Sequence, residues 1–191
     1  MVRKRISFST LLVLSFALVA SSIVIEDLFA AAPPLPQDPE LARIDLGYRV
    51  APVPLTQHGP AVHNLIGLGS YLVNAGGCND CHTLQPFVTG HDPFLGQPGV
   101  VNPEGYLAGG QHFGPFTSRN LTPEENGLPA GLTFAQFRLV IRTGIDLDHK
   151  HPEMGPLLQV MPWPAFKNYS DRDLRAIWEY LRSIPRSGTH D

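Results

Sequence analysis

The only two cysteines of this 191-residue chain stand three positions apart and run directly into a histidine, in Cys78-Asn79-Asp80-Cys81-His82. C-x-x-C-H is the pattern by which a haem is held covalently, two thiols adding to its vinyl groups while the histidine binds iron. Two other uses of C-x-x-C compete. A redox dithiol needs a strand leading into the motif, whereas Leu72-Val73-Asn74-Ala75-Gly76-Gly77 precedes it here. A structural zinc needs two more ligands at close spacing; no third cysteine exists, and the ligand-like pair His149 and His151 lies far downstream. The pattern therefore favours one haem c, bound through Cys78 and Cys81 with His82 on the metal. The fold must then be one that closes around such a group.

Covalent haem attachment takes place outside the bacterial cytoplasmic membrane, so an export address is expected. Arg3-Lys4-Arg5 form a basic start, and residues 6–25 are apolar apart from a few serines and a threonine. Small residues at Ala20-Ser21-Ser22 and Ala30-Ala31-Ala32 offer two cleavage sites. Residues 1–32 read as a cleaved export signal; uncleaved, the same segment would be an N-terminal membrane anchor with the remainder outside. Either way the expected location is periplasmic, soluble or attached to the outer side of the cytoplasmic membrane.

Residues 1–32 carry three basic and two acidic side chains, so 11 basic and 15 acidic residues remain beyond them, a net charge of −4. That mild acidity argues against nucleic acid and favours a partner with a basic docking face. The remaining length suits one domain. Glycine and proline are abundant, 18 and 19 of them, which predicts much irregular loop. With both cysteines committed to haem, no disulfide is expected.

Residues 33–61 contain Pro33, Pro34, Pro36, Pro39, Pro52, Pro54 and Pro60 without a sustained helical period, and read as a proline-rich tail partly wrapping the domain. A first helix is predicted over residues 62–74, where Leu65, Leu68, Tyr71 and Leu72 recur at helical spacing before Gly76-Gly77. Residues 84–131 are too long for a simple connection and predict a functional covering loop. Thr133 and Gln136 form a capping-box pattern ahead of the stripe Phe137, Val140 and Ile141, and Gly144 ends that helix. A last helix starts at Ser170, presents Leu174, Ile177, Trp178 and Leu181 on one face, and stops at Pro185. Tyr71 and Trp178 read as the packing contact of the first and last helices, with Gly67 or Gly69 allowing close approach. The organisation is then a domain over residues 62–185 with a short tail over 186–191.

Taken together, several runs resemble class I c-type cytochromes, specifically single-haem proteins similar to the cytochrome subunits of bacterial periplasmic dehydrogenases. They are Gly69-Ser70-Tyr71-Leu72 before the haem motif, Gly77 to Thr83, Asn120-Leu121-Thr122-Pro123, Met161-Pro162-Trp163, and the closing residues 171–185. The resemblance covers residues 65–185. It implies an all-α, cytochrome c-like fold of about four helices around one haem, here with an unusually long Gly/Pro-rich loop.

Electron transfer works best when iron is six-coordinate in both oxidation states, so a distal ligand is expected opposite His82. A thioether is a soft donor that favours ferrous iron. Apart from the initiator, the methionines are Met154 and Met161. Met161 is followed by two prolines in Val160-Met161-Pro162-Trp163-Pro164, which predict a stiffened, extended segment a few residues before the closing helix, and the resemblance points to it as well. Met154 and a bis-histidine arrangement using His149 or His151 are the alternatives. His58, His63, His91, His112 and His190 carry no spacing signal. Arg119, Asn120 and Trp163 are candidates to bond haem propionates.

These residues point to an electron carrier and not to an enzyme in its own right. The resemblance implies a periplasmic or membrane-associated dehydrogenase as donor, and an oxidase or another cytochrome as acceptor. The alternative is a haem-based sensor or a peroxidase-like subunit, in which the sixth position stays open.

Overall fold

A computed structural model of the chain describes residues 38–187 apart from 57, 149 and 151. The expected export segment, Pro33, Pro34, Pro36, His149, His151 and His190 lie outside the described residues.

Helix α1 (Pro39–Val50) forms within residues 33–61, where the sequence shows no sustained helical period. Asp38 caps it, accepting from the Glu40 N–H at 2.8 Å and the Leu41 N–H at 3.4 Å. Pro39 occupies the first turn, where its missing N–H costs nothing, and Glu40 complements the helix dipole. The prolines thus bracket a helix; they do not interrupt one. Helix α2 (Pro60–Ala75) forms where predicted, two residues earlier at its start. It leads through Gly77, in the left-handed region at φ +70°, into the short α3 (Cys78–His82).

Three helices follow the long loop: α4 (Phe134–Thr143), α5 (Trp163–Phe166) and α6 (Asp171–Ser183). The predicted capping box forms with reciprocal bonds between Thr133 and Gln136, and the helix start expected at Ser170 closes in the same way with Asp173. Among the described residues there are six helices and one two-stranded antiparallel sheet, β1 (His112–Phe113) against β2 (Phe116–Thr117), with His112 opposite Thr117. This helix-rich make-up is compatible with the all-α expectation. It adds a hairpin inside the covering loop, and α1, α3 and α5 raise the helix count above about four.

Helix α2 is the centre of the packing because glycine lets two other helices reach its backbone. A Cβ at Gly47 of α1 would lie 1.8 Å from the Gly67 carbonyl oxygen, and one at Gly69 would lie 1.9 Å from the Ala176 carbonyl oxygen of α6. Ser70 uses the first approach to donate to the Gly47 carbonyl at 2.6 Å. The anticipated Tyr71–Trp178 contact is replaced by another pairing. Trp178 packs edge-on against Phe134 and donates to the Leu132 carbonyl at 3.0 Å. The aromatic that α6 brings to α2 is the fully buried Tyr180, whose hydroxyl meets those of Tyr106 at 3.1 Å and the Asn74 amide at 3.5 Å.

The core joins Ile66 and Val73 of α2, Phe137 and Ile141 of α4, and Leu174, Ile177 and Leu181 of α6. Each such side chain contributes about 1.5–3 kcal/mol when fully buried. The covering loop belongs to this core as well, since Leu107 and Tyr106 are buried in it. Replacing Gly69 by alanine forces α2 and α6 apart. We expect Gly69→Ala to cost at least about 2 kcal/mol in urea unfolding; an unchanged midpoint would mean the two helices do not touch there.

Candidate functional site

The site is built on α3, and the covering loop holds α3 by its carbonyl groups. Asn79, buried, donates to the Pro86 carbonyl at 3.2 Å and accepts from the Thr83 hydroxyl at 2.6 Å. That hydroxyl accepts in turn from the Leu107 N–H at 2.9 Å. The Gln111 amide donates to the carbonyls of Asp80 at 2.7 Å and Thr83 at 2.5 Å, and the Gly109 N–H donates to the His82 carbonyl at 2.7 Å. A five-residue helix is thereby kept in one orientation although it has little cooperative stability of its own.

His82 is oriented by the loop backbone. Its Nδ1 lies 2.8 Å from the Arg119 carbonyl oxygen. A carbonyl only accepts, so the proton sits on Nδ1 and the Nε2 lone pair is free for a metal. Burial lowers the His82 pKa, the Arg119 charge adds to this, and the bond to the Arg119 carbonyl opposes it; the net direction is down, toward the neutral ring a metal needs. The Arg119 carbonyl reaches this position because residue 109 is glycine. At φ +78° a Cβ there would lie 2.5–2.7 Å from the backbone of Ser118, Arg119 and Asn120.

Cys78, half-buried, and Cys81, exposed, share with His82 the wall of one cavity of about 370 Å³. Leu72, Ile141, Leu158, Ile177 and Leu181 make much of the remaining wall apolar. Burial first, then Cys81 and Asp80, push the Cys78 thiol up to about 11, against its own backbone hydrogen bond; Cys81 is raised by burial and Asp80. A reactive dithiol needs the opposite shift, so the redox-dithiol reading loses support.

Met161 also lines this cavity and packs against the core, whereas Met154 is 45% exposed in a short 3₁₀ turn and stands outside the cavity wall. The segment before Met161 is not the extended, proline-stiffened run that the sequence suggests. Val160 has φ +66°, and the Met161 N–H closes on the Gln159 carbonyl at 2.6 Å. This is a tight turn in a backbone region that β-branched residues avoid.

Of the three propionate candidates, two are otherwise engaged. Trp163 donates to the Leu158 carbonyl at 3.3 Å and covers Gly144, where a Cβ would lie 2.1 Å from its ring. The Arg119 guanidinium bonds Asp146 at 2.5 Å and Asp148 at 2.7 Å. Burial by itself would raise the Asp146 carboxyl; the Arg119 hydrogen bond and charge, with the N–H groups of Asp148 and Lys150, overcome it and hold the group below the usual range. Asn120 is different. Its Oδ1 accepts from the Thr122 N–H and hydroxyl, both at 2.8 Å, which fixes the amide orientation. Among the described residues its Nδ2 is a buried donor without a partner, and Asn120 lines the cavity. Buried donors are rarely left unpaired. Two thiols, an imidazole with a free Nε2, a thioether, an apolar wall and an unpaired amide donor fit a haem with its carboxylate side chains.

The contributions of Gly109, the Arg119 carbonyl, Asp146 and Val160 are absent from the sequence reading. Gly109-Gly110 is the one local signal for them, since a paired glycine marks either a turn or a close backbone approach.

Comparison with known proteins agrees with this chemistry. The chain is 31% identical over 134 residues to a nicotinate dehydrogenase component of Pseudomonas putida, covering 70% of the chain and 10% of that protein. It is 28% identical over 117 residues to the cytochrome c subunit of gluconate 2-dehydrogenase of Pantoea cypripedii, covering 61% of the chain and 22% of that subunit. With the cytochrome c subunit of the quinone alcohol dehydrogenase of Gluconacetobacter polyoxogenes, identity is 27% over 127 residues, covering 66% and 23%. The chain thus spans less than a quarter of the length of these relatives. No protein-family model matches the chain, and no solved structure does. Two of these distant relatives are named as cytochrome c subunits of dehydrogenases.

The Val160 turn yields a test. Val160 is 57% exposed, so Val160→Gly removes little burial while relieving a backbone cost of about 1–3 kcal/mol. The greater freedom of glycine in the unfolded chain offsets part of that gain. We expect unfolding stability to be unchanged or up to about 1 kcal/mol higher by chemical denaturation; a loss of that size would show the turn to be unstrained.

Proposed function

We propose that this chain is an exported mono-haem c-type cytochrome that carries single electrons from a periplasmic dehydrogenase to a downstream acceptor. The observation that carries this reading is the convergence of Cys78, Cys81, His82 and Met161 on one apolar cavity that also holds the unpaired Asn120 donor. When bound, the haem supplies a one-electron iron couple. Cys78 and Cys81 are the attachment thiols, His82 offers Nε2, and Met161 offers a soft sulfur that raises the potential. Asn120 donates to a propionate, and the wall formed by α2, α4 and α6 keeps water away. With these side chains given to holding the group, the chain acts as an electron-transfer component of an oxidoreductase system, a role the names of the similar cytochrome c subunits support.

The names of the similar proteins support a dehydrogenase as the donor, with an oxidase or another cytochrome as acceptor. A transient partner of this kind needs only a small contact around the cavity rim. The basic and apolar N-terminus supports export, with either release into the periplasm or retention on the outer side of the cytoplasmic membrane as its outcome. Met161 at the cavity wall favours the carrier over a sensor or peroxidase-like subunit with an open sixth site.

Protein produced with the haem-attachment machinery should give a haem stain that survives a denaturing gel, and Cys78→Ala/Cys81→Ala should abolish it. Wild-type ferrous protein should bind carbon monoxide slowly, and Met161→Ala should bind it at least ten times faster. Absence of covalent haem would end the cytochrome reading. Rapid stoichiometric carbon monoxide binding by the wild type would move it to the open-site alternative.

A further inference from the structure

We propose that the Arg119–Asp146 ion pair is a clamp that sets the separation of His82 and Met161, which makes Arg119 a positioning residue for both axial ligands. The inference rests on the haem reading above and adds a residue pair to it. Arg119 acts at two ends: its carbonyl oxygen fixes the His82 ring, and its guanidinium grips Asp146 at 2.5 Å with Asp148 at 2.7 Å. Asp146 belongs to a segment that pairs with the run leading to Met161. Its N–H donates to the Pro156 carbonyl at 2.7 Å, Ile145 bridges Leu157, and the Leu158 N–H donates to the Gly144 carbonyl at 2.7 Å. Trp163 closes the far end of this run, lying on Gly144 and bonding the Leu158 carbonyl. The His82 side of the cavity and the Met161 side therefore meet at one ion pair. Its carboxylate side chain is 9% exposed and its guanidinium 27%. A pair so shielded is weakly screened, and a planar fork gives it a defined geometry that lysine cannot copy.

A merely structural ion pair would change stability and leave iron ligation as it was. A clamp on the ligands changes ligation while covalent haem stays in place. Asp146→Ala and Arg119→Lys both keep the Arg119 carbonyl, the cysteines, His82 and Met161. In full-length haem-loaded protein we expect each to leave the gel haem stain at wild-type intensity. We expect each also to raise the rate of carbon monoxide binding to the ferrous form at least tenfold, and to lower the reduction potential as the sulfur is held less firmly. The double variant should be no faster than the faster single one, because both changes open the same link. Asp171→Asn, which breaks the exposed contacts with Arg138 and Arg142, should leave the rate within twofold of wild type. If Asp146→Ala does not accumulate, Arg119→Lys carries the test alone. Carbon monoxide rates and potentials within twofold and unshifted in the variants, with haem attached and the wild type slow, would overturn the clamp while leaving the cytochrome reading intact. A wild type without covalent haem would overturn both.

Discussion

The hydrogen bond between His82 Nδ1 and the Arg119 carbonyl is the contact on which the rest of the site depends. It selects the ring tautomer, leaves the Nε2 lone pair free on a residue that lines the cavity, and joins the short helix α3 to the covering loop. It exists because Gly109 has no side chain and sits at a positive φ, so that residues 118–120 run against residue 109 at a distance no Cβ permits. The loop is held there by bonds that all end on α3 or its neighbours: Gly109 to His82, Gln111 to Asp80 and Thr83, Leu107 to Thr83. A segment whose composition looks like irregular surface is in fact the scaffold that holds His82. Its buried Tyr106 and Leu107 tie it to the same core that α2 and α6 share.

What could be read from the sequence follows from which forces are local. The capping box at Thr133, the helix start at Ser170, the stop at Pro185 and the glycines after α2 are short-range patterns, and all of them form. The cysteine pair and His82 are contiguous, so their joint presence in one wall is nearly automatic. Helix α1 escapes a sequence reading because its apolar stripe is thin, only Ile44 and Gly47 being buried, and its stability comes from packing on α2 that no local pattern reports. The Asp38-Pro39-Glu40 start signal is present but hidden in a proline-rich setting. Tyr71 and Trp178 are natural choices for a helix contact by size. Backbone proximity at Gly69 instead selects Tyr180, which can place its hydroxyl among Asn74 and Tyr106. The role of Arg119 is not legible at all, since half of it belongs to a backbone carbonyl and the other half to a carboxylate reached only through tertiary structure.

Charge inside the protein is handled consistently. Glu179, fully buried in α6, is held between Arg175 and Arg182, whose guanidinium groups also lie over the Trp178 ring at 5.0 and 5.1 Å. Asp146 is treated in the same way by Arg119. In each case a carboxylate that would be costly if unpaired becomes a fixed strut between segments distant in the chain or along the helix. The difference lies in where the pairing stands: Glu179 and its two arginines all lie on α6, and Asp146 stands at the cavity that His82 and Met161 share.

Two local irregularities point to that same cavity without any use of the cysteine motif. Val160 holds a β-branched residue at positive φ one position before Met161, and Asn120 keeps a buried amide donor unpaired two residues before the fully buried Thr122. Either would be selected against in a wall that only had to pack, because a glycine or an apolar residue would be more stable there. Native chains keep such costs where a bound group compensates them or where geometry matters more than stability. An acceptor in the cavity would satisfy Asn120, and a sulfur aimed by a stiff turn would need the conformation Val160 adopts. The sequence motif, the unpaired donor and the strained turn are independent observations, and the proposed haem, held by Cys78 and Cys81 with His82 and Met161 toward its iron, would account for all three.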